Sequence, residues 1–247
     1  MLGVGGGWAR PGGAACGYLL RHDGFNLWID AGTGTMANLQ RFIGLDEVHA
    51  VAVSHRHFDH FLDLYPFWLS RWWGDQDTPP PLPLFAPPGM FAHALQLEPN
   101  LGKAFDAVEI EPGAGFAAGP FQIRTAPMNH PVPTIGMRIE ADGSAFAYSA
   151  DTGPTTELVD LSKGADVLLC EATWLDRRDG WDPIHLTATQ AGEHAARAGV
   201  GRLLLTHIWP ATDRRETEAR ARDAFDGPVT VAEEGLRVDT RGQELTR

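Results

Sequence analysis

Ser54-His55-Arg56-His57-Phe58-Asp59-His60 follows directly on Val48-His49-Ala50-Val51-Ala52-Val53. The second run is short, rich in β-branched residues and without a helical period, so it reads as a buried strand. The first sets three histidines and an aspartate in six residues at that strand's exit. In an extended or turning backbone, residues two apart point the same way. His55 and His57 can therefore hold one cation while Asp59 and His60 turn toward a second. Imidazole nitrogen and carboxylate oxygen are ligands of zinc, and manganese and iron accept them too. The competing reading, a solvated polar loop, does not account for histidine at this density.

Working outward, the 247 residues suffice for one large domain, and one domain spanning 1–247 is expected. A 43% hydrophobic content supports a sizeable core. The net charge of −12 argues against a protein that coats nucleic acid with a basic surface. It leaves room for a nucleotide or RNA-end substrate, because two divalent ions would make the pocket itself positive. Cys16 and Cys170 fit neither a C-x-x-C pair nor a zinc-finger spacing. A disulfide scaffold is not expected, and a reducing cytoplasm is the expected location. No apolar run reaches membrane-spanning length, so no membrane association is expected.

The opening Gly3-Val4-Gly5-Gly6-Gly7 reads as a simple glycine-rich turn, with a phosphate cradle as the alternative; any first strand before it is clipped or the N-terminus lies upstream. Gly17 to Arg21 and Phe25 to Asp30 read as strands joined by the turn His22-Asp23-Gly24. Met36 to Ile43 reads as a short helix. Phe61 to Trp73 reads as a helix with an aromatic face, packed in the core for the most part, with a dimer surface or substrate lid as the alternative. A homodimer is expected. Thr78 to Pro83 is a stiff connector. Gly89 to Leu97, Thr187 to Ala198 and Arg214 to Phe225 read as helices. Strands are expected at 84–86, 108–110, 121–125, 134–139, 145–149, 167–170, 202–206, 229–231 and 236–238.

Polar residues at the ends of apolar strands are the informative ones outside the histidine stretch. His130 follows Thr125-Ala126-Pro127-Met128-Asn129, Asp151 follows Tyr148-Ser149-Ala150, Glu171 follows Leu169-Cys170, and His207 follows Leu205-Thr206. Each taken singly reads as a cap or a structural residue. Four of them beside the cluster at 55–60 point to one assembled site. His22, His49, His93 and His194 belong to no motif and read as surface or core, and Cys170 as a small buried hydrophobe.

His-x-His-x-Asp-His, a later histidine, an aspartate after one strand and a last histidine after another resemble the metallo-β-lactamase superfamily over nearly the whole chain. Leu2-Gly3 with Gly5-Gly6, and Ile29-Asp30-Ala31-Gly32, are similar to that superfamily's usual start. The resemblance implies an α/β fold, a four-layer αββα sandwich, with two divalent metals at its rim, zinc foremost and manganese or iron as alternatives. It implies His55, His57 and His130 on one metal, Asp59, His60 and His207 on the other, and Asp151 bridging both. β-Lactam hydrolases usually carry cysteine or serine where Asp151 stands, which disfavours that activity. Met128 to Gly136, with Tyr148-Ser149-Ala150-Asp151-Thr152, instead resembles the ribonuclease Z and cyclic-nucleotide phosphodiesterase branch. Cys170-Glu171-Ala172-Thr173 is similar to that branch's His-Glu-Ala-Thr, and His185-Leu186-Thr187-Ala188 to its histidine before a helix. The implied catalytic set is Asp59 with Glu171 and His185, the glutamate orienting the histidine that protonates the leaving oxygen.

Two departures narrow the substrate. Ribonuclease Z enzymes that trim tRNA commonly insert a long arm between the third histidine and the bridging aspartate. Here twenty residues separate His130 from Asp151, room for a hairpin. The branch's Pro-x-Lys-x-Arg-Asn loop is not matched at Ala9 to Ala14. The expected activity is hydrolysis of a small phosphodiester, namely a cyclic nucleotide, a cyclic phosphate or a short RNA end, by a hydroxide shared between two metals. Hydrolysis of a carboxylic ester, lactone or thioester on the same site is the alternative. A metal-binding cofactor-biosynthesis protein without turnover is a third reading.

Overall fold

Asp-Gly pairs set two of the hairpins. Asp23 and Gly24 have φ of 46° and 76°, and Asp142 and Gly143 have 47° and 75°. Both residues of each two-residue turn are left-handed, the conformation whose twist matches the flanking strands. The computed structural model describes residues 1–73, 79–177, 180 and 183–240, with the backbone of 244–245. The Thr78 end of the proline connector lies outside the described residues.

In chain order the strands are β1 (Tyr18–His22), β2 (Phe25–Ile29), β3 (Ala50–Ala52), β4 (Leu82–Ala86), β5 (Phe105–Glu109), β6 (Gly115–Ala118), β7 (Phe121–Pro127), β8 (Ile135–Ala141), β9 (Ser144–Tyr148), β10 (Val167–Glu171), β11 (Leu203–Thr206), β12 (Val229–Val231), β13 (Arg237–Val238) and β14 (Glu244–Leu245). The helices are α1 (Thr35–Leu39), α2 (Phe58–Phe61), α3 (Leu64–Trp73), α4 (Met90–Leu97), α5 (Thr156–Ser162), α6 (Ala188–Ala198) and α7 (Arg214–Arg222). One sheet has the order β1-β2-β3-β4-β5 and the other β12-β11-β10-β9-β8-β7-β6.

Three apolar clusters make the layers. Leu27, Ile29, Met137, Tyr148 and Leu169 lie in the cluster shared by the two sheets. Trp28, Val51, Phe61 and Phe67 pack the outer face of the first sheet against α3 and its neighbours. Leu158, Leu168, Ala191, Leu205 and Ala221 pack the outer face of the second against α5, α6 and α7. Alternate residues of β2 thus face opposite layers, as the two-residue period of a strand requires. The result is the αββα sandwich, helices outside and sheets within.

Several elements differ from the sequence expectation. The helix expected over 61–73 is two: α2 begins at Phe58, inside the histidine stretch, and α3 starts at Leu64. Phe61, Phe67 and Trp68 are buried, whereas Phe58 and Trp73 are exposed, so the aromatic run divides between core and surface. β6 and α5 lie in stretches to which the sequence reading assigns no element. β13 does not finish the large sheet but pairs with β14. No helix among the described residues is long and apolar enough to cross a membrane.

Candidate metal centre

β2 and β3 run parallel, as do β9, β10 and β11, so the exits of each set share one rim. The chain turns abruptly there. Asp30, Ala150 and His207, each just beyond one of these strands, have φ of 52°, 52° and 51°. Left-handed backbone at a non-glycine residue costs on the order of 1–3 kcal/mol and concentrates at functional sites. Here it turns the chain out of β2 and β11 at Asp30 and His207, and out of β9 at Ala150, the residue before Asp151.

Seven donor side chains converge at this rim. Nδ1 of His57 lies 3.1 Å from Nε2 of His55 and 3.0 Å from Nε2 of His130. Oδ2 of Asp151 is 3.5 Å from Nε2 of His55 and 3.9 Å from Nε2 of His130. On the other side, Nε2 of His207 is 3.2 Å from Oδ2 of Asp59 and 3.2 Å from Oδ2 of Asp151. Nε2 of His60 is 3.5 Å from Oδ2 of Asp59 and 3.3 Å from Oδ1 of Asp151. Four tetrahedral ligands at zinc bond lengths stand about 3.3 Å apart. His55, His57, His130 and Asp151 form one such group, their donor atoms all within 4.8 Å of one another, and His60 and His207, each beside Asp59, approach the same Asp151 carboxylate from the other side.

Four of the five imidazoles are oriented from behind. Nδ1 of His60 donates to Oδ2 of Asp30 at 2.8 Å. The Ser54 hydroxyl donates to the same carboxylate at 2.9 Å, so it accepts from Nδ1 of His55 at 3.1 Å. Nδ1 of His130 donates to the Ile184 carbonyl at 3.1 Å. The Thr173 hydroxyl donates to Oε2 of Glu171 at 2.6 Å and accepts from Nδ1 of His207 at 2.8 Å. With Nδ1 protonated in all four, the Nε2 lone pairs face the centre, the tautomer a cation needs. Asp30 also accepts from the Ser54 amide and the Tyr148 hydroxyl, both at 2.7 Å. Asp59 accepts from the Gly7 amide at 2.8 Å.

The charge state suits a cation. Burial lowers the pKa of His55 well below its ordinary value, and burial followed by the His130 charge lowers His57 to about 4. Both are neutral at pH 7. Burial alone would raise the pKa of Asp151, but His207, His60 and His55 hold it well below the usual carboxylate value. Burial likewise opposes protonation of His60, yet Asp151 and Asp59 raise its pKa well above normal. The pocket around its Nε2 thus favours positive charge. That nitrogen and Oδ1 of Asp151 are buried and have no hydrogen-bond partner. Buried polar atoms are rarely left so, and a divalent cation between them would satisfy both.

Glu171 and His185 stand at the same rim. Oε1 of Glu171 lies 3.0 Å from Nδ1 of His185. A ring nitrogen of His185 lies within 4.8 Å of donor atoms of Asp151 and His207. Burial lowers the His185 pKa, but the Glu171 carboxylate outweighs it and raises the value to about 9. Every residue singled out from the sequence is thus brought to one place. Asp182, three residues before His185 in the sequence, lies outside the described residues. His194 is buried on α6, its Nδ1 on the Gln190 carbonyl, and both cysteines are buried and free, Cys16 with its Sγ within 4.8 Å of ring nitrogens of His60 and His207.

The sequence reading missed the supporting residues. Asp30 follows an apolar strand as Asp151 does, so the same rule could have found it. Ser54 and Thr173 sit inside quoted motifs without a role assigned. Tyr148 likewise sits inside a quoted motif without a role assigned.

Comparison with known proteins fits this arrangement. Residues 26–208 match the model of a β-lactamase superfamily domain. An uncharacterized protein of Mycobacterium leprae is 35% identical over 253 residues, covering 99% of this chain and 89% of that protein. Ribonuclease Z of Mycolicibacterium gilvum is 31% identical over 256 residues, covering 89% of this chain and 88% of the enzyme. Among solved structures, the metallo-β-lactamase fold protein YhfI of Bacillus subtilis superposes with a TM-score of 0.87 at 27% identity, covering 95% of each chain.

Proposed function

The chain belongs to the metallo-β-lactamase superfamily, in the branch that includes ribonuclease Z, and is a metallo-hydrolase; we propose that it is a single-domain phosphodiesterase using two divalent ions. His55, His57 and His130 would hold one ion, Asp59, His60 and His207 the other, and Asp151 both. Zinc suits this histidine-rich set best, with manganese or iron as alternatives. Ions bound there would supply Lewis acidity: a water that ionises near neutral pH, and neutralisation of charge on the phosphoryl oxygens.

The observation that carries the reading is the outward anchoring of Nδ1 in His55, His60, His130 and His207, which leaves four lone pairs facing the one shared carboxylate of Asp151. Asp59 is held in place by the Gly7 amide and Asp151 by its crowd of imidazoles. His185 donates a proton to the departing oxygen, and Glu171 fixes its ring and keeps it charged. A carboxylic ester or thioester has little need of such an acid when its leaving group is a good one. An alkoxide leaving phosphorus does need it.

The substrate is small. The chain between His130 and Asp151 is used for β8, its two-residue turn and β9, with no arm to grip a folded RNA. The test is turnover of bis(p-nitrophenyl) phosphate against a panel of lactones, with metal content measured on the same protein. Diester turnover with about two metals per chain is expected. Lactone turnover without diester turnover would move the assignment to the carboxylic-ester reading, and metal without any turnover would make it a binding protein.

A further inference from the structure

We propose that Trp8 and Trp209 form an aromatic shelf beside the metal centre that stacks the base of a nucleotide substrate. The inference rests on the phosphodiesterase reading and narrows it to substrates that carry a nucleobase.

The shelf is a continuous row of rings. The His185 and His207 rings stack with centroids 5.3 Å apart. Trp174 lies edge-on to His185 at 6.2 Å, Trp209 is 4.8 Å from Trp174, and Trp8 meets Trp209 edge-on at 4.4 Å. Trp8 is 50% exposed, so the row leads from the site outward into solvent.

Backbone pairing ties each indole to a residue of the site. Gly5 bridges Ile208 in parallel, and the Gly6 amide donates to the Ile208 carbonyl at 3.2 Å. Trp209 is thereby laid against Gly7, where an added Cβ would come within 3.1 Å of the indole. The Gly7 amide holds Asp59, and Trp8 is the next residue. The Trp209 amide donates to the Thr173 carbonyl at 3.4 Å, while the Thr173 side chain holds His207.

A solvent-accessible indole fixed this closely to a reaction centre has little to recommend it as core packing. Every nucleobase has a π-face, and base–indole stacking is sequence-tolerant and strong enough to govern affinity. The acidic surface adds no broad electrostatic attraction for phosphate-bearing ligands. Ring stacking supplies affinity that does not depend on it.

Two ligands that differ in the base alone test this: AMP and ribose 5-phosphate, titrated calorimetrically into the metal-loaded full chain. AMP is expected to bind at least about five-fold more tightly. Trp8→Ala, a change at a half-exposed ring, is expected to shrink that ratio toward one, and Trp8→Phe to restore most of it. Trp209→Ala is expected to act in the same direction. Equal affinities in the unmodified protein, no binding of AMP, or a ratio unmoved by Trp8→Ala would overturn the shelf. Hydrolysis of bis(p-nitrophenyl) phosphate, measured in parallel, judges the phosphodiesterase reading separately. Turnover without an AMP preference defeats the shelf alone, and an AMP preference without turnover defeats the phosphodiesterase reading alone.

Discussion

The carboxylate of Glu171 touches His185 directly, at 3.0 Å, and reaches His207 through the hydroxyl of Thr173. One buried side chain thus orients both the proposed acid and a proposed metal ligand. It also accepts from the amides of Thr152 and Leu186 at 2.6 and 3.1 Å.

His185→Ala is therefore expected to separate substrates by leaving group. Diesters that expel an alkoxide should slow by roughly a hundred-fold or more, and p-nitrophenyl esters by far less. Steady-state rates on the two classes make the comparison, and equal losses would remove the acid role. The sign of the pH dependence follows from the raised pKa. Glu171 holds the His185 pKa above its ordinary value, so the charged acid persists to higher pH than a free imidazole, and alkyl-diester turnover should fall only as pH rises past that raised value.

Glu171→Gln should do more than remove an acid's partner. All four of its hydrogen bonds are donated to it, two to each oxygen, and an amide nitrogen cannot accept. Whichever way the amide turns, two buried donors lose their acceptor, at about 1–3 kcal/mol each. Thermal or urea unfolding should register the loss along with the fall in activity.

Asp151→Ala is expected to lower metal content below two ions per chain and abolish hydrolysis, because both donor groups share that carboxylate. Metal analysis by mass spectrometry and circular dichroism together decide it. A variant with full metal and full activity would contradict the two-ion proposal. Chelation of the unmodified protein should likewise lower its melting temperature, since a ligand bound only to the folded state stabilises it.

Tyr148→Phe removes a hydroxyl that donates to Asp30, the carboxylate behind His60. Outer partners of this kind typically govern metal affinity by about 10–100-fold. Chelator competition should show the weakening, with the far-ultraviolet spectrum unchanged.

Gly6→Ala tests close approach. A Cβ at Gly6 would lie 2.5 Å from the His207 carbonyl oxygen and 2.8 Å from its Nδ1. The expected result is displacement of His207 and loss of activity and bound metal, in a chain that still folds.

Much of this was legible before any coordinates. Val48 to Val53 read as a strand because its apolar run has no helical period, although the paired segment is only Ala50–Ala52. The helix expected over Phe61 to Trp73 differs at its start because α2 spans Phe58–Phe61, overlapping residues that the motif reading places in an extended or turning backbone. β6, Gly115–Ala118, escaped because its glycine and alanines carry little β propensity; pairing with β7 holds it.

The kind of chemistry was written in the chain itself: histidines and an aspartate crowded at 55–60, and His130, Asp151, Glu171 and His207 each stranded at the end of an apolar run. Side-chain type and strand periodicity are local, and local properties can be read in one dimension. Which atom of each imidazole faces inward, the role of Asp30 and Tyr148 behind His60, and the meeting of Trp8 with Trp209 were decided by the tertiary structure alone. Those relations come from pairings between distant segments, such as Gly5 with Ile208, and from left-handed turns at Asp30, Ala150 and His207. The packed sandwich holds both in place, and no local pattern of residues records them.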